Sequence, residues 1–414
     1  MTADHRLAQY KVDMLDAMLQ ETSHVNDVRA DGNPGSNQTL QLTSIEQLQT
    51  PAPLVDVSRV ARNLDHMAEY ARTYGLRLRP HVKTHKTTVI GAAQMRRGAA
   101  GLTCATPCEM EVMSAVAPDL LLAHPPMGVK MERLLGLPES VSIVTALDSV
   151  EAIDHVGDAA TTANRKIKIY VELDLGMHRV GVATPDEAVA LARRVADSKS
   201  LEFAGICFYP GHIREPLDEQ GPRIAKLNTD LAEFVAALDR AGLAPPVVSG
   251  GSTPTAWRTH EMPLVTEFRP GTYVFNDRTT AAIGACTLDD CALTVLATVV
   301  STAVSGQAVV DAGSKALGRE PMRGVNADGY GVIVGHDDVI VSAMSEEHGT
   351  LDLSKTTWRP RVGDTVRIVP NHVCIVVHLN DVLYAMDGDC VDGVWPVAAR
   401  GRVAPFAPAP VTVL

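Results

Sequence analysis

Residues 76–87 read LRLRPHVKTHKT. Leu76 and Leu78 alternate with Arg77 and Arg79, the period of two that marks a strand. The strand runs straight into His81, Val82, Lys83, Thr84, His85 and Lys86. Basic groups gathered at a strand end suit a solvated loop, a phosphate site or a catalytic lysine with attendants, and the surrounding chain decides among them. Between residue 53 and about 280 come further short apolar runs: GLTCA, LLLA, SIVTAL, IKIYVEL, FAGICFY, PVVSGG and EFRPGTYVF. Helix-period segments separate them, among them Val60, Leu64, Met67 and Ala71, and the long RIAKLNTDLAEFVAALDRAG. Strand–helix alternation implies parallel strands with helical crossovers. Eight such strands predict a (β/α)8 TIM barrel. An open doubly wound sheet is the alternative, but no G-x-G-x-x-G follows the first strand.

Beyond residue 290 the period changes to two. CALTVLATVVS, QAVVDAG, GYGVIV, DVIVSAM, DTVRIVP and VCIVVHL are β-branched runs broken by Gly, Asp and Pro, which predicts a second, all-β domain. At the other end, AQYKVDMLDAMLQ is amphipathic and DVRADGNPGSNQT reads as a linker. The expected organisation is therefore a helical segment and linker over 1–50, a barrel over 51–288 and a β domain over 289–414. The net charge of −12 argues against nucleic acid as a partner. No run of eighteen apolar residues suggests a membrane span, and seven scattered cysteines suit a reducing compartment, so a cytoplasmic protein is expected.

In a (β/α)8 barrel the catalytic groups come from the C-terminal strand ends. Here those ends carry His81 and Lys83, then Asp174 and Arg179 in ELDLGMHRVGV, Tyr209 and His212 in YPGH, and the segments SGGSTPT and RPGTYVFND. Gly250, Gly251, Ser252 and Thr253, with Gly271 and Thr272, offer unobstructed backbone N–H groups and hydroxyls, where barrels of this type commonly bind phosphate. A lysine facing a phosphate site suggests a Schiff base with pyridoxal phosphate. Lys83 shares strand parity with His81 and points into the mouth; Lys86 falls on the other parity and is expected at the surface.

These residues make the chain recognisable. RPHVKTHK, ELDLGMHRVGV, YPGH, SGGSTPT, RPGTYVFND, DAGSKAL, SEEHG and VPNHVC together resemble the D-threonine aldolase and D-serine dehydratase family, pyridoxal-phosphate enzymes with the alanine racemase fold. The resemblance runs from about Pro51 to residue 390. It implies that Lys83 carries the cofactor, that Thr253, Gly271 and Thr272 hold its phosphate, and that Arg179 and Tyr209 line it. It also implies an N-terminal segment that helps complete the β domain, and a homodimer in which one β domain closes the partner's site.

His372 and Cys374 stand two residues apart on an expected strand, so both would project from one face. An imidazole and a thiolate favour zinc over harder cations, and by the resemblance they are the metal pair. Manganese or magnesium is the alternative cation. Within the family a His-x-Cys pair goes with zinc-dependent dehydratases and a His-x-Asp pair with aldolases. The expected reaction is therefore β-elimination from a D-3-hydroxy amino acid to keto acid and ammonia. Retro-aldol cleavage to glycine and an aldehyde is the alternative, and an amino-acid racemase that needs no metal is a second. Three positions depart from the family pattern: Thr106 where aldolases carry Gln, Thr280 near an expected Tyr, and His378 where Asn is common. Glu346, Glu347 and His348 of SEEHG are candidates to reach the site from a partner subunit.

Overall fold

The computed structural model describes residues 44–325 and 327–401. The expected N-terminal helix and linker lie outside these residues.

The eight expected barrel strands all form. They are β2 (Arg77–Leu78), β3 (Leu102–Cys104), β4 (Asp119–Leu122), β5 (Ser142–Leu147), β6 (Ile167–Glu172), β7 (Leu201–Cys207), β8 (Val248–Gly250) and β9 (Glu267–Phe268). Each pairs in parallel with the next from β3 to β9, and β9 pairs with β2. A parallel bridge between His81 and Thr103 joins the first strand to β3 and completes the circle. Strand alternation assigns the two faces. Leu120, Leu122, Ile143, Leu147, Ile169 and Val171 pack outward against the helices. Leu121, Val144, Ala146, Tyr170 and Cys207 pack together on the other face, inside the barrel. The helix Val57–Thr73 shows the matching logic: Asp56 caps it by accepting the Arg59 N–H, and Val60, Leu64, Met67 and Ala71 are buried at helical spacing.

The second domain is also confirmed, with a different edge. Strands β10 (Leu293–Ser301), β11 (Gln307–Val310), β12 (Gly331–Ile333), β13 (His336–Met344), β14 (Gly349–Asp352) and β15 (Thr365–Pro370) close into a ring, because β10 pairs with both β11 and β15. Beyond it the sheet continues through β1 (Ala52–Asp56), β16 (Val382–Asp387) and β17 (Cys390–Pro396). Leu54 pairs antiparallel with Thr294 and parallel with Tyr384, so β1 belongs to this sheet although it precedes the whole barrel.

One expected strand is a helix. VCIVVHL folds as the helix Val373–Leu379 with His372 as its N-cap residue. Its β-branched residues favour strands in isolation, but Val373, Val376 and Val377 are buried at i, i+3 and i+4, which only a helix can bury together. Tertiary packing overrides local preference here. His372 and Cys374 therefore do not share a strand face.

Candidate active site

At the C-terminal end of the barrel a cavity of about 270 Å³ opens, and it gathers Lys83, Arg179, Tyr209, Thr253, Gly271 and Thr272 into one wall system. Lys83 sits in a short 3-10 turn, Val82–Thr84, that begins at His81. Its Nζ lies 5.7 Å from the centre of the Tyr209 ring, and the Arg179 guanidinium carbon lies 4.9 Å from the same centre. Two cations thus flank one flat aromatic wall. Gly211 lets Tyr209 stand there: a Cβ on Gly211 would come within 2.1 Å of the ring. Thr253 ties the two glycine-bearing segments together, since its Oγ1 accepts the N–H of Gly271 and of Tyr273, each at 3.2 Å.

Arg179 owes its position to Asp174. That carboxylate accepts the N–H of Gly176 at 3.0 Å and of His178 at 2.9 Å, and contacts the His178 Nδ1 at 2.9 Å. Burial raises its pKa, but these hydrogen bonds win and hold it below the usual range. Asp174 is thus the brace of the loop, while Arg179 lines the cavity.

Four further residues line the cavity that strand-end reasoning left without a role: His81, His124, Glu172 and Arg269. The signal for two of them was parity: Glu172 and Arg269 lie two residues before Asp174 and Gly271. Arg269 is the upper end of a buried chain of polar groups that fills the barrel. It donates to Ser249 Oγ at 2.5 Å and to Phe208 O at 2.9 Å; Ser249 donates to Glu267 at 2.8 Å; Glu267 accepts from Arg79 at 2.9 Å; and Arg79 reaches Asp119 at 2.6 Å. Burial, reinforced by the nearby Lys83 and Arg269 charges, holds the His81 imidazole well below its ordinary pKa, so it is neutral at pH 7.

The His372–Cys374 pair approaches the lysine turn from the β domain. Cys374 Sγ lies 3.4 Å from the Oγ1 of Thr84, the residue after Lys83. The His372 Nδ1 lies 3.0 Å from Asp277 Oδ2, which also accepts the Val373 N–H at 3.3 Å. The other oxygen of Asp277 accepts the N–H and the hydroxyl of Thr280, both at 2.9 Å. Thr280 is therefore part of the brace behind His372. Burial opposes charge on His372, but the Cys374 sulfur and Asp277 outweigh it and push the imidazole up to about 11. Burial likewise raises the Cys374 thiol, and His372 reverses that, holding it below its ordinary value. Among the described residues no third His, Cys, Asp or Glu joins the pair.

One other expectation changes. Lys86 is buried, not at the surface: its ammonium contacts Glu109, which is fully buried. Thr106 caps the helix Pro107–Met113 by accepting the Glu109 N–H. His378 lies in the helix that carries Cys374, and burial, with Lys86 and Arg400, lowers its pKa. Glu346 and Glu347 both pair with Lys315 at 2.9 Å on an exposed loop.

Comparison with known proteins agrees with this arrangement. Residues 55–279 match the model of the alanine racemase N-terminal domain, and residues 292–386 match a putative serine dehydratase domain. The chain belongs to the D-threonine aldolase and D-serine dehydratase family. Among these pyridoxal-phosphate lyases, it is 34% identical to a D-threo-3-hydroxyaspartate dehydratase of Delftia sp. (strain HT23), over 79% of this chain and 91% of that one. It is 32% identical to a 3-hydroxy-D-aspartate aldolase of Paracoccus denitrificans (strain Pd 1222), over 86% of this chain and 93% of the relative. The solved D-threonine aldolase from Filomicrobium marinum superposes with a TM-score of 0.80 at 32% identity, covering 90% of this chain and 100% of that one. A variant of D-threo-3-hydroxyaspartate dehydratase has been solved in a metal-free form. More distant alanine racemases, at 12% identity and a TM-score of 0.63 for that of Clostridium difficile, share the fold.

Proposed function

We propose that the chain is a pyridoxal-phosphate- and metal-dependent lyase that converts D-3-hydroxy amino acids to keto acid and ammonia by β-elimination. The observation that carries the reading is the contact of the Cys374 thiol with Thr84, the residue next to Lys83 on its turn. Nothing in this contact serves a racemase, which gains nothing from the metal pair.

The residues present fit both groups. For pyridoxal phosphate there are a lysine, a flat ring with two cations over it, and a rim of Gly251, Ser252, Thr253, Gly271 and Thr272 suited to an anion. Gly271 must be small: a Cβ would come 2.9 Å from Thr84 Oγ1 and 3.1 Å from His81 O. For the metal, His372 and Cys374 make a borderline-soft pair, and zinc is the first choice, with manganese or magnesium as alternatives.

Bound there, pyridoxal phosphate supplies an electron sink for a carbanion at the substrate α-carbon, and the cation supplies Lewis acidity at its β-hydroxyl. Lys83 Nζ would hold the cofactor and, once freed by the substrate amine, would take the α-proton as general base. Thr253, Gly271 and Thr272 would hold the phosphate, while Tyr209 and Arg179 would line the cofactor. His81, being neutral, adds no charge to the mouth, which Arg179 and Arg269 also line. Asp277, by holding the His372 Nδ1, would leave Nε2 as the nitrogen free for a cation. The thiolate of Cys374 favours the dehydratase outcome.

Two relatives named as aldolases keep retro-aldol cleavage to glycine and an aldehyde as the second reading. We also assign the working form as a cytoplasmic homodimer. The seven cysteines are free, and the exposed Lys315–Glu346–Glu347 loop is suited to meeting a second copy. No helix among the described residues is long and apolar enough to cross a membrane.

The test is product analysis on zinc-loaded protein given D-serine, D-threonine and D-threo-3-hydroxyaspartate separately. Keto acid with ammonia is the expected outcome. Glycine with an aldehyde would establish the aldolase instead.

A further inference from the structure

The buried Lys86–Glu109 pair stands outside the cavity and has no place in the chemistry above, yet it is built with care. Lys86 adopts φ +53°, a left-handed conformation that a lysine rarely takes. Its N–H donates to Val82 O at 2.8 Å, closing the turn that carries Lys83. Its side chain turns inward to Glu109 rather than out to water. Glu109 spends its other oxygen on the Ala105 N–H at 2.5 Å, and Ala105 lines the cavity. The Lys86 carbonyl accepts the N–H of Ala399 at 3.0 Å, and the Ala399 carbonyl faces the Cys108 thiol at 3.5 Å. Ala399 belongs to the last described segment, which follows β17. The turn is therefore held at three points: by the barrel wall at Ala105, by the segment at Ala399, and by Cys374 through Thr84.

A buried ion pair is a poor source of stability, because desolvation cancels most of its attraction; apolar residues of equal volume commonly do as well. What the pair adds is register. We propose that Lys86, paired with Glu109, is a positioning residue for Lys83: it locks the 82–86 turn against the cavity wall and the β-domain segment, and so sets where the Lys83 amine stands relative to Cys374. The inference rests on the pyridoxal reading given above.

The test compares wild type with Glu109→Gln, Lys86→Met and the double variant, each full-length and reconstituted with pyridoxal phosphate and zinc. Gln keeps an acceptor for the Ala105 N–H, so the double variant removes both charges and little else. Lys86→Met alone strands a buried carboxylate and should lower the melting temperature. The double variant should regain most of that loss. It should still show a shifted pH midpoint for the absorbance of lysine-bound cofactor, and a kcat at least tenfold below wild type with KM changed less than threefold. A double variant with wild-type midpoint and kcat would overturn the inference and leave the pair as packing. Should the double variant not fold, Glu109→Gln alone carries the same comparison of midpoint and kcat. A wild-type protein that shows no lysine-dependent absorbance would overturn the pyridoxal reading, and this inference with it.

Discussion

Thr84 Oγ1 lies 3.4 Å from Cys374 Sγ, so a barrel turn and a β-domain helix touch one residue away from Lys83. The turn that bears Lys83 and the helix that bears Cys374 thus touch within a single subunit, through residues 290 apart in the chain.

Lys83→Ala should abolish the absorbance of lysine-bound pyridoxal phosphate and lower turnover by about 10²–10⁴-fold or more, since both attachment and proton transfer are lost. Spectra of the reconstituted variant check it. Persistence of the band would assign the cofactor to another lysine.

His372→Ala or Cys374→Ala should leave cofactor absorbance in place, remove bound zinc and stop turnover. Metal analysis beside an activity assay separates the two effects. Full activity after chelation would favour a racemase.

Asp277→Asn should weaken zinc binding by about 10–100-fold, because the brace that orients His372 is replaced by a neutral amide. Competition with a chromogenic chelator measures this directly. An unchanged affinity would show that Asp277 and Thr280 serve only the local fold.

Arg79→Met should destabilise the protein by about 3–5 kcal/mol, because Glu267 would be left charged in the barrel interior. Denaturant unfolding of the variant gives the number. A loss below about 1 kcal/mol would mean that Glu267 is protonated or hydrated in the variant.

Acidification should weaken the fold through His85. Burial holds its imidazole down at about 3, against an ordinary value of 6.5. Below 6.5 the unfolded chain takes up a proton that the native ring refuses, so stability falls as pH drops from 6.5 toward 3. The slope from this group is about 1.4 kcal/mol per pH unit. Urea midpoints at several pH values, for wild type and His85→Asn, isolate it; equal slopes in the two proteins would exclude His85 as the source.

The barrel was legible because its strands are buried on both faces and read as short apolar runs, and because polar and glycine residues recur at their ends. Lys83, Arg179, Tyr209, Thr253, Gly271 and Thr272 line one cavity, whereas Gly250 and His212 do not. The misreadings have a common physical origin. VCIVVHL has the composition of a strand, and only its packing partners make it a helix. Lys86 looked solvated because sequence shows a charge but not the buried carboxylate that faces it. Asp277 carries no signal of its own in the sequence, and Thr280 stands out only as a departure from the family pattern, because a brace acts through the groups it touches, and His372 lies 95 residues from Asp277.

The placement of β1 has a consequence for how the protein can be divided. The chain enters the β domain at Ala52, leaves it to build the entire barrel, and returns at Leu293. The barrel is thus an insertion anchored at both ends, not a bead followed by another bead. A fragment cut near residue 288 would carry a stray strand, and the β domain made alone would lack the one between β10 and β16. Any such cut parts β1 from both of its sheet neighbours, β10 and β16.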